Sequence, residues 1–156
     1  MALIKNYLWV FFISMVPIIE LRGAIPIGAG LGLEWHANLI LCIIGNMLPV
    51  PFILLFIRHI LEWMKKVPKL DRIALWVERK AHKNKAKVLK FASFGLFLFV
   101  ALPLPGTGAW TGALVAAMLD MRMKYALPSI FCGVVCAGFI MTLASYGFVS
   151  FLGFLT

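Results

Sequence analysis

The sequence has little acidic charge, few cysteines and few histidines. It contains six Asp and Glu residues against fifteen Lys and Arg residues, so its formal net charge is +9. The three cysteines form no CxxC pair, and their odd number argues against a disulfide framework. The three histidines are too few and too scattered for a metal site, and we find no nucleophile–base set and no P-loop. We therefore expect no cofactor, no bound metal and no enzymatic activity.

Long apolar runs make up most of the sequence instead. Hydrophobic residues account for 63% of the 156 residues, and the mean hydropathy is +0.98. Soluble domains average about 45–50% apolar residues, and a single core of this size has no room for the excess. The composition predicts an all-α integral membrane protein with one membrane domain over residues 1–156.

The basic residues concentrate in one segment between two apolar blocks. Residues 58–90 hold eleven of the fifteen Lys and Arg residues and three of the six acidic residues. Beside membrane spans, such a segment is expected on the cytoplasmic side, where it meets anionic lipids. Its apolar residues recur at helical spacing, which favours an amphipathic linker on the membrane surface over a solvated connector. We expect membrane lipids and no nucleic acid as partners.

The first apolar block, residues 6–57, begins with two pieces that are too short to cross a membrane. Residues 6–19 would form a helix of about 21 Å and residues 24–33 a shorter one, whereas the hydrocarbon core is about 30 Å thick. The polar stretch "ELRG" lies between them. Two short helices joined by a polar break predict a re-entrant hairpin with its tip near the membrane centre.

The rest of the first block is long enough to span the membrane. Residues 37–57 are mostly apolar, and they contain Asn46, Pro49 and Pro51. Proline removes a backbone donor from a helix, so we expect a kink there, with Asn46 facing protein rather than lipid.

The second block, residues 91–156, repeats this order of elements. Residues 91–102 and 109–119 are short apolar pieces on either side of the break "PLPGTG", residues 103–108, and a long apolar stretch follows from Tyr125. With the basic linker in the cytoplasm, a hairpin here leaves only Lys5 and Arg22 among the basic residues outside that compartment. The two halves are therefore predicted to be an inverted repeat, each a hairpin followed by a transmembrane helix.

Two motifs carry a resemblance to a known family. At "PIIELRGAIPIG" and "ALPLPGTGAWTGALVAA" the chain resembles the small multi-drug export protein family of bacteria and archaea, which is similar to the larger DedA-like superfamily. The resemblance implies a location in a prokaryotic cytoplasmic membrane, two re-entrant hairpins that face each other, and ion-coupled transport. In some of the similar proteins, the implied substrate is a polyprenyl phosphate. DedA-like proteins commonly carry an acidic residue after the Pro-Gly pair, where this chain has Thr107.

Glu20 and Arg22 are the only charges predicted at the membrane centre. A charge there costs roughly 2.5–3.5 kcal/mol, so it is seldom without a role. Residues two apart on a helix do not face each other, which predicts separate roles over a direct ion pair, although an irregular tip would allow one. Arg22 before a helix N-terminus would bind an anion, and Glu20 would couple an ion.

The candidate site for substrate binding or coupling combines both tips. We predict that it consists of Glu20, Arg22, Gly23, Pro26, Asn46, Pro103, Pro105, Gly106, Thr107, Gly108 and Trp110. Within this set, the Thr107 hydroxyl is expected to face a polar cavity, and Trp110 is expected to serve in packing more than as a gate.

Three functions remain open at this point. The first is a small secondary transporter of an amphipathic or lipid-linked anion, the second an exporter of amphipathic drugs, and the third a scaffold without a substrate. Two hairpins and two spans make a thin wall, so we expect a homodimer or higher homo-oligomer. The small residues of "GVVCAG", from Gly133 to Gly138, form a small-xxx-small pattern on the last helix that is predicted to be its contact surface.

Overall fold

The computed structural model describes residues 2–65, 85–104 and 106–155. Within these residues the chain is helical and contains no strand. The helices are α1 (Ala2–Met15), α2 (Glu20–Gly30), α3 (Trp35–Met47), α4 (Pro49–Lys65), α5 (Lys85–Ala101), α6 (Ala109–Met118) and α7 (Met123–Leu155). Pro105 and the middle of the predicted basic linker lie outside the described residues.

Two stretches are long and apolar enough to cross a membrane. Trp35–Ile57, which combines α3 with the first half of α4, has 23 residues, and Met123–Phe151 of α7 has 29. At about 1.5 Å per residue each exceeds the hydrocarbon thickness of about 30 Å. By contrast, α2 and α6 have only 11 and 10 residues. Over the described residues, the predicted all-helical class is confirmed, with two helical stretches long enough to span a membrane.

The first span is broken at Leu48, between α3 and α4. Pro49 and Pro51 lack an N–H, so the carbonyls of Gly45 and Met47 lose their helical donors. Since both prolines follow one another within a turn, the helix is interrupted there, which confirms the predicted kink.

Several predicted boundaries differ from the structure. The charged residues do not form the break of the first hairpin, because α2 begins at Glu20, and the tip consists of residues 16–19 with Pro17 among them. Both described ends of the basic segment 58–90 are helical, since α4 continues to Lys65 and α5 starts at Lys85. The predicted surface position of this segment stays a prediction.

Each short second helix of a hairpin packs against a long helix of the other half. Helix α2 contacts α7 and α6 contacts α4, whereas α1 packs on α2 and α3 alike and α5 packs mainly on α7. The core lies between these helices. Its largest fully buried apolar side chains are Leu21, Ile25, Leu54, Met121, Ile130, Val10, Val50, Val100 and Val134.

The two second helices end in the same hydrogen-bond pattern. At the end of α2, the Gly32 N–H donates to the Ala29 carbonyl and the Leu33 N–H to the Gly28 carbonyl, at 3.1 and 3.0 Å. At the end of α6, the Asp120 N–H donates to the Ala117 carbonyl and the Met121 N–H to the Ala116 carbonyl. Each of these residues lies 88 positions after its counterpart at the end of α2. Gly32 and Asp120 both have a positive φ, 71° and 49°. This is the Schellman cap, in which a left-handed residue closes the helix.

A pair of glycines marks a second correspondence between the halves. A Cβ on Gly45 would lie 2.7 Å from the Phe11 carbonyl oxygen of α1, and one on Gly133 would lie 2.9 Å from the Phe97 carbonyl oxygen of α5. Each glycine therefore lets a span approach the first helix of its own hairpin closely.

The predicted use of Gly133 and Gly138 as an oligomer surface is wrong. Gly133 packs on α5, and a Cβ on Gly138 would lie 2.8 Å from the Leu39 side chain of α3. Both glycines are buried between helices of the same chain. A small-xxx-small pattern allows another helix to approach closely, but it does not specify which helix that is. Homo-oligomerisation stays a prediction that needs another surface.

A polar network ties the last helix to the first half. The Asn38 Nδ2 donates to the Ile25 carbonyl and to the Tyr146 hydroxyl, both at 3.0 Å, and that hydroxyl donates to the Leu33 carbonyl at 2.7 Å. Asn38 is fully buried, so its amide needs these partners. Asn38 therefore bonds from α3 to both α2 and α7, and Tyr146 was not identified from the sequence.

Tyr146→Phe is expected to destabilise the fold by about 1–2 kcal/mol. The change leaves the Leu33 carbonyl without its side-chain donor and takes one acceptor from Asn38, while the ring stays in place. Unfolding in detergent, followed by circular dichroism, measures the loss. Tyr125→Phe, at an exposed ring, is the matched control, and an equal effect of both changes would contradict the network's role.

Candidate functional site

The tips of the two hairpins meet at Glu20 and Gly108. Glu20 is only 4% exposed, and its Oε1 accepts the backbone N–H of Trp110 at 3.3 Å. Its carboxylate lies where a Cβ on Gly108 would be, so a side chain at position 108 would require the carboxylate to move. Because Trp110 is in the first turn of α6, Glu20 occupies the N-terminal end of that helix, where the helix dipole favours negative charge.

Arg22 binds the other side of the same tip, at the end of α5. Its Nη2 lies 3.0 Å from the Val100 carbonyl, 2.8 Å from the Leu102 carbonyl and 3.0 Å from the Thr107 carbonyl. Helix α5 ends at Ala101, so the guanidinium caps carbonyls that have no helical donor. A cation at a helix C-terminus also complements the helix dipole.

Glu20 and Arg22 form an ion pair, which corrects the expectation of separate roles. The Arg22 Nη1 lies 3.6 Å from the Glu20 Oε2. The spacing rule for helices does not apply, because Glu20 has a positive φ of 51° and lies at the very start of α2. Besides pairing with each other, both side chains contact the facing hairpin, Glu20 at the start of α6 and Arg22 at the end of α5.

Arg22 does not form the predicted anion site in this state. It lies inside the first turn of α2 rather than before it, and its Nη2 is engaged by carbonyls of the other tip. Its buried Nε has no hydrogen-bond partner among the described residues, but that single donor lacks the paired geometry that binds a phosphate. The Glu20 carboxylate is contacted by the backbone N–H groups of Trp110, at 3.3 Å, and of Ala109, and by one guanidinium nitrogen at 3.6 Å.

Thr107 and Trp110 hold the second tip instead of lining an empty polar cavity. The Thr107 Oγ1 is 2.8 Å from the Leu102 carbonyl and 2.9 Å from the Leu104 carbonyl, which closes the tip on itself. Gly106 has a φ of 84°, so the turn favours glycine there. The Trp110 Nε1 donates to the Met15 carbonyl at 3.1 Å, at the end of α1.

The other predicted site residues lie apart from this cluster. Pro103 is exposed next to the tip, and Pro26 is inside α2. A Cβ on Gly23 would contact the Ile19 side chain, so Gly23 supports the first tip. Asn46 is fully buried on α3, as predicted, but neither of its amide atoms has a hydrogen-bond partner in the part of the chain that the structure describes.

An apolar groove that we did not predict opens beside Trp110. It has a volume of about 900 Å³ and lies against α4. Its lining residues are Leu48, Pro49, Phe52, Ile53, Leu55, Phe56, His59 and Trp110. The spacing of Phe52, Phe56 and His59 puts them on one face of α4, a signal that the sequence contains but that also fits simple lipid contact.

Comparison with known proteins identifies the family. The family model described as "Putative small multi-drug export protein" matches residues 20–140, a range that contains Glu20, Arg22 and the second tip. No curated protein and no solved structure gives a significant match to the chain. Since the matched range covers most of the chain and includes the Glu20–Arg22 pair, the chain belongs to the family of small multi-drug export proteins.

Proposed function

We propose that the chain is a secondary transporter that exports amphipathic cations. The groove beside Trp110 would hold the apolar part of the substrate, and Glu20 would hold its positive end or a proton that moves in exchange. Arg22 would keep the empty site neutral by pairing with Glu20. In this assignment Glu20 binds, Arg22 positions, and Trp110 joins the groove to the carboxylate.

The observation that carries the proposal is the buried carboxylate next to the groove. Among the described residues, the partners of Glu20 are the backbone N–H groups of Trp110, at 3.3 Å, and of Ala109, and one Arg22 guanidinium nitrogen at 3.6 Å, whereas a carboxylate accepts about four hydrogen bonds. The Trp110 N–H that contacts it belongs to a residue that also lines the groove. A buried carboxylate with unused acceptor capacity is stabilised when it binds a cation or a proton.

A lipid-linked anion is the less favoured substrate. Three carbonyl oxygens surround the Arg22 Nη2, and a phosphate would have to displace them together with Glu20. The DedA-like coupling that the resemblance implies therefore has less support from the geometry than cation export. Charge-reversed substrates separate the two proposals.

We also propose that the two halves are related as an inverted repeat. The matched Schellman caps, the matched glycines and the exchanged packing of α2 on α7 and α6 on α4 support this relation. Contacts that are reciprocal between equivalent elements indicate a two-fold relation. With residues 58–90 on the cytoplasmic side of a prokaryotic inner membrane, the hairpins would enter from opposite faces.

Glu20→Gln is expected to reduce cation export at least about tenfold, because glutamine keeps the shape but loses the charge that binds the cation. Purified protein in liposomes, loaded with a fluorescent lipophilic cation such as ethidium under an imposed pH gradient, measures this flux. Glu34→Gln is the matched control, since the Glu34 carboxylate is exposed and pairs only with His36 among the contacts described.

The remaining outcomes separate the alternatives. Flux of a lipophilic anion, lost in Arg22→Lys and kept in Glu20→Gln, would replace the proposal with anion transport. Liposomes without flux of either ion, containing protein that is folded by circular dichroism, would favour a scaffold. Equal flux in Glu20→Gln and Glu34→Gln would remove Glu20 from the mechanism.

A further inference from the structure

We propose that Arg22 and Trp110 are two matched locks, one on each side of Glu20, and that each closes Glu20 off from a different face of the membrane. This inference rests on the proposed transport function and names the residues that would gate it. Opening one lock while the other stays closed would give Glu20 access to one side at a time.

The two residues occupy equivalent positions in the two halves. Arg22 and Trp110 are 88 positions apart, the same separation as the residues of the two Schellman caps. Both lie in the first turn of the second helix of a hairpin, α2 or α6. Their equivalence does not depend on side-chain similarity, which explains why the letters of the sequence do not reveal it.

The two residues also make the same kind of contact in opposite directions. Arg22 reaches from the first hairpin to the end of α5, where its Nη2 is 2.8 Å from the Leu102 carbonyl. Trp110 reaches from the second hairpin to the end of α1, where its Nε1 is 3.1 Å from the Met15 carbonyl. Each second helix thus fixes the end of the first helix of the other hairpin.

Glu20 lies between the locks, at the proposed two-fold relation that places one half of the chain on the other. Its equivalent position is Gly108, and the two are in contact. A position that touches its own counterpart lies at the two-fold relation between the halves, as in an isologous interface. The carboxylate is therefore central, and release of either lock would uncover it from one side only.

The locks differ in strength, which gives the cycle an order. Arg22 makes charge-assisted hydrogen bonds to three carbonyls, whereas the Trp110 indole makes one neutral bond and borders the open groove. Charge-assisted bonds are roughly twice as strong as neutral ones. The Trp110 lock therefore opens first, and the groove is the side from which the substrate enters.

Paired cysteine reporters at the two tips test the inference. Ile18 and Leu104 are exposed residues at the first and second tip, 92% and 54% exposed, and each would be replaced by cysteine in a chain whose Cys42, Cys132 and Cys136 are changed to alanine. A thiol reacts as the thiolate, so a membrane-impermeant maleimide labels only where water from its own side arrives.

We expect each lock variant to act on one reporter and from one side. Trp110→Phe should raise labelling at position 18 about two- to tenfold, and Arg22→Lys should raise labelling at position 104 by a similar factor from the opposite side, because each loses hydrogen bonds that hold that tip. Phenylalanine keeps an aromatic ring and lysine keeps the positive charge, and circular dichroism of each variant checks that it is folded. Trp9→Phe and Arg122→Lys, at exposed side chains, are the matched controls.

Labelling of both reporters from the same side, or no difference from the controls, would overturn the inference. Flux of the lipophilic cation is measured in the same liposomes to keep the two proposals apart. Side-specific labelling without flux would retain the locks and reject transport, and flux without side-specific labelling would do the reverse.

Discussion

Arg22→Met is expected to lower the free energy of unfolding by about 3–5 kcal/mol, the typical cost of removing one partner of a buried ion pair. The change leaves the Glu20 carboxylate without its countercharge and the carbonyls of Val100, Leu102 and Thr107 without their shared donor. Unfolding by SDS in mixed micelles, followed by circular dichroism, measures the loss.

Two further variants define the cause of that loss. Arg122→Met changes an exposed arginine and should cost less than about 0.5 kcal/mol. The double variant Arg22→Met with Glu20→Gln should be more stable than Arg22→Met alone, because no unpaired carboxylate remains. If the double variant is the less stable one, Arg22 acts by capping α5 alone, and its pairing with Glu20 contributes little.

Gly133→Ala is expected to destabilise the protein by about 1–3 kcal/mol through overpacking. The added Cβ would lie 2.7 Å from the Val100 Cβ and 2.9 Å from the Phe97 carbonyl oxygen, so the backbones of α5 and α7 have to separate. The same mixed-micelle unfolding measures the effect.

A second glycine on α7 makes this test sharp. A Cβ on Gly147 would meet nothing within 4 Å, so Gly147→Ala should stabilise the helix by up to about 1 kcal/mol through alanine's higher helix propensity. Opposite signs for the two substitutions on one helix indicate close packing at Gly133. Stabilisation by both would mean that α5 and α7 do not approach as described.

Much of the fold was predictable because the membrane restricts the choices. Helix lengths and the prolines predicted the helical class, the short helices and the kink at Leu48. The start of α2 at Glu20 was predicted wrongly. The prediction assigned the break to the charged residues, whereas the tip contains Pro17. A buried charge is compatible with a helix when its partners come from another segment.

The site was predictable in its members and not in its contacts. Glu20 and Arg22 stand out because charge in a membrane is costly, but their partners are 78 to 90 positions away. The ion pair depends on the positive φ of Glu20, which residue type does not reveal. Gly133 and Gly138 were recognised as contact residues, yet only the folded chain identifies their partners as α5 and α3.

The contacts of Arg22 and Tyr146 have a consequence for biosynthesis. Arg22 finds its carbonyl acceptors at residues 100–107, and the Leu33 carbonyl finds its donor at Tyr146. At roughly 5–20 residues per second, a ribosome needs about 4–16 seconds after making Arg22 to supply the first of these partners. During that interval the newly inserted first half carries an incompletely paired charge in the lipid, so it is the stage at which quality-control proteases have access to an unfinished chain.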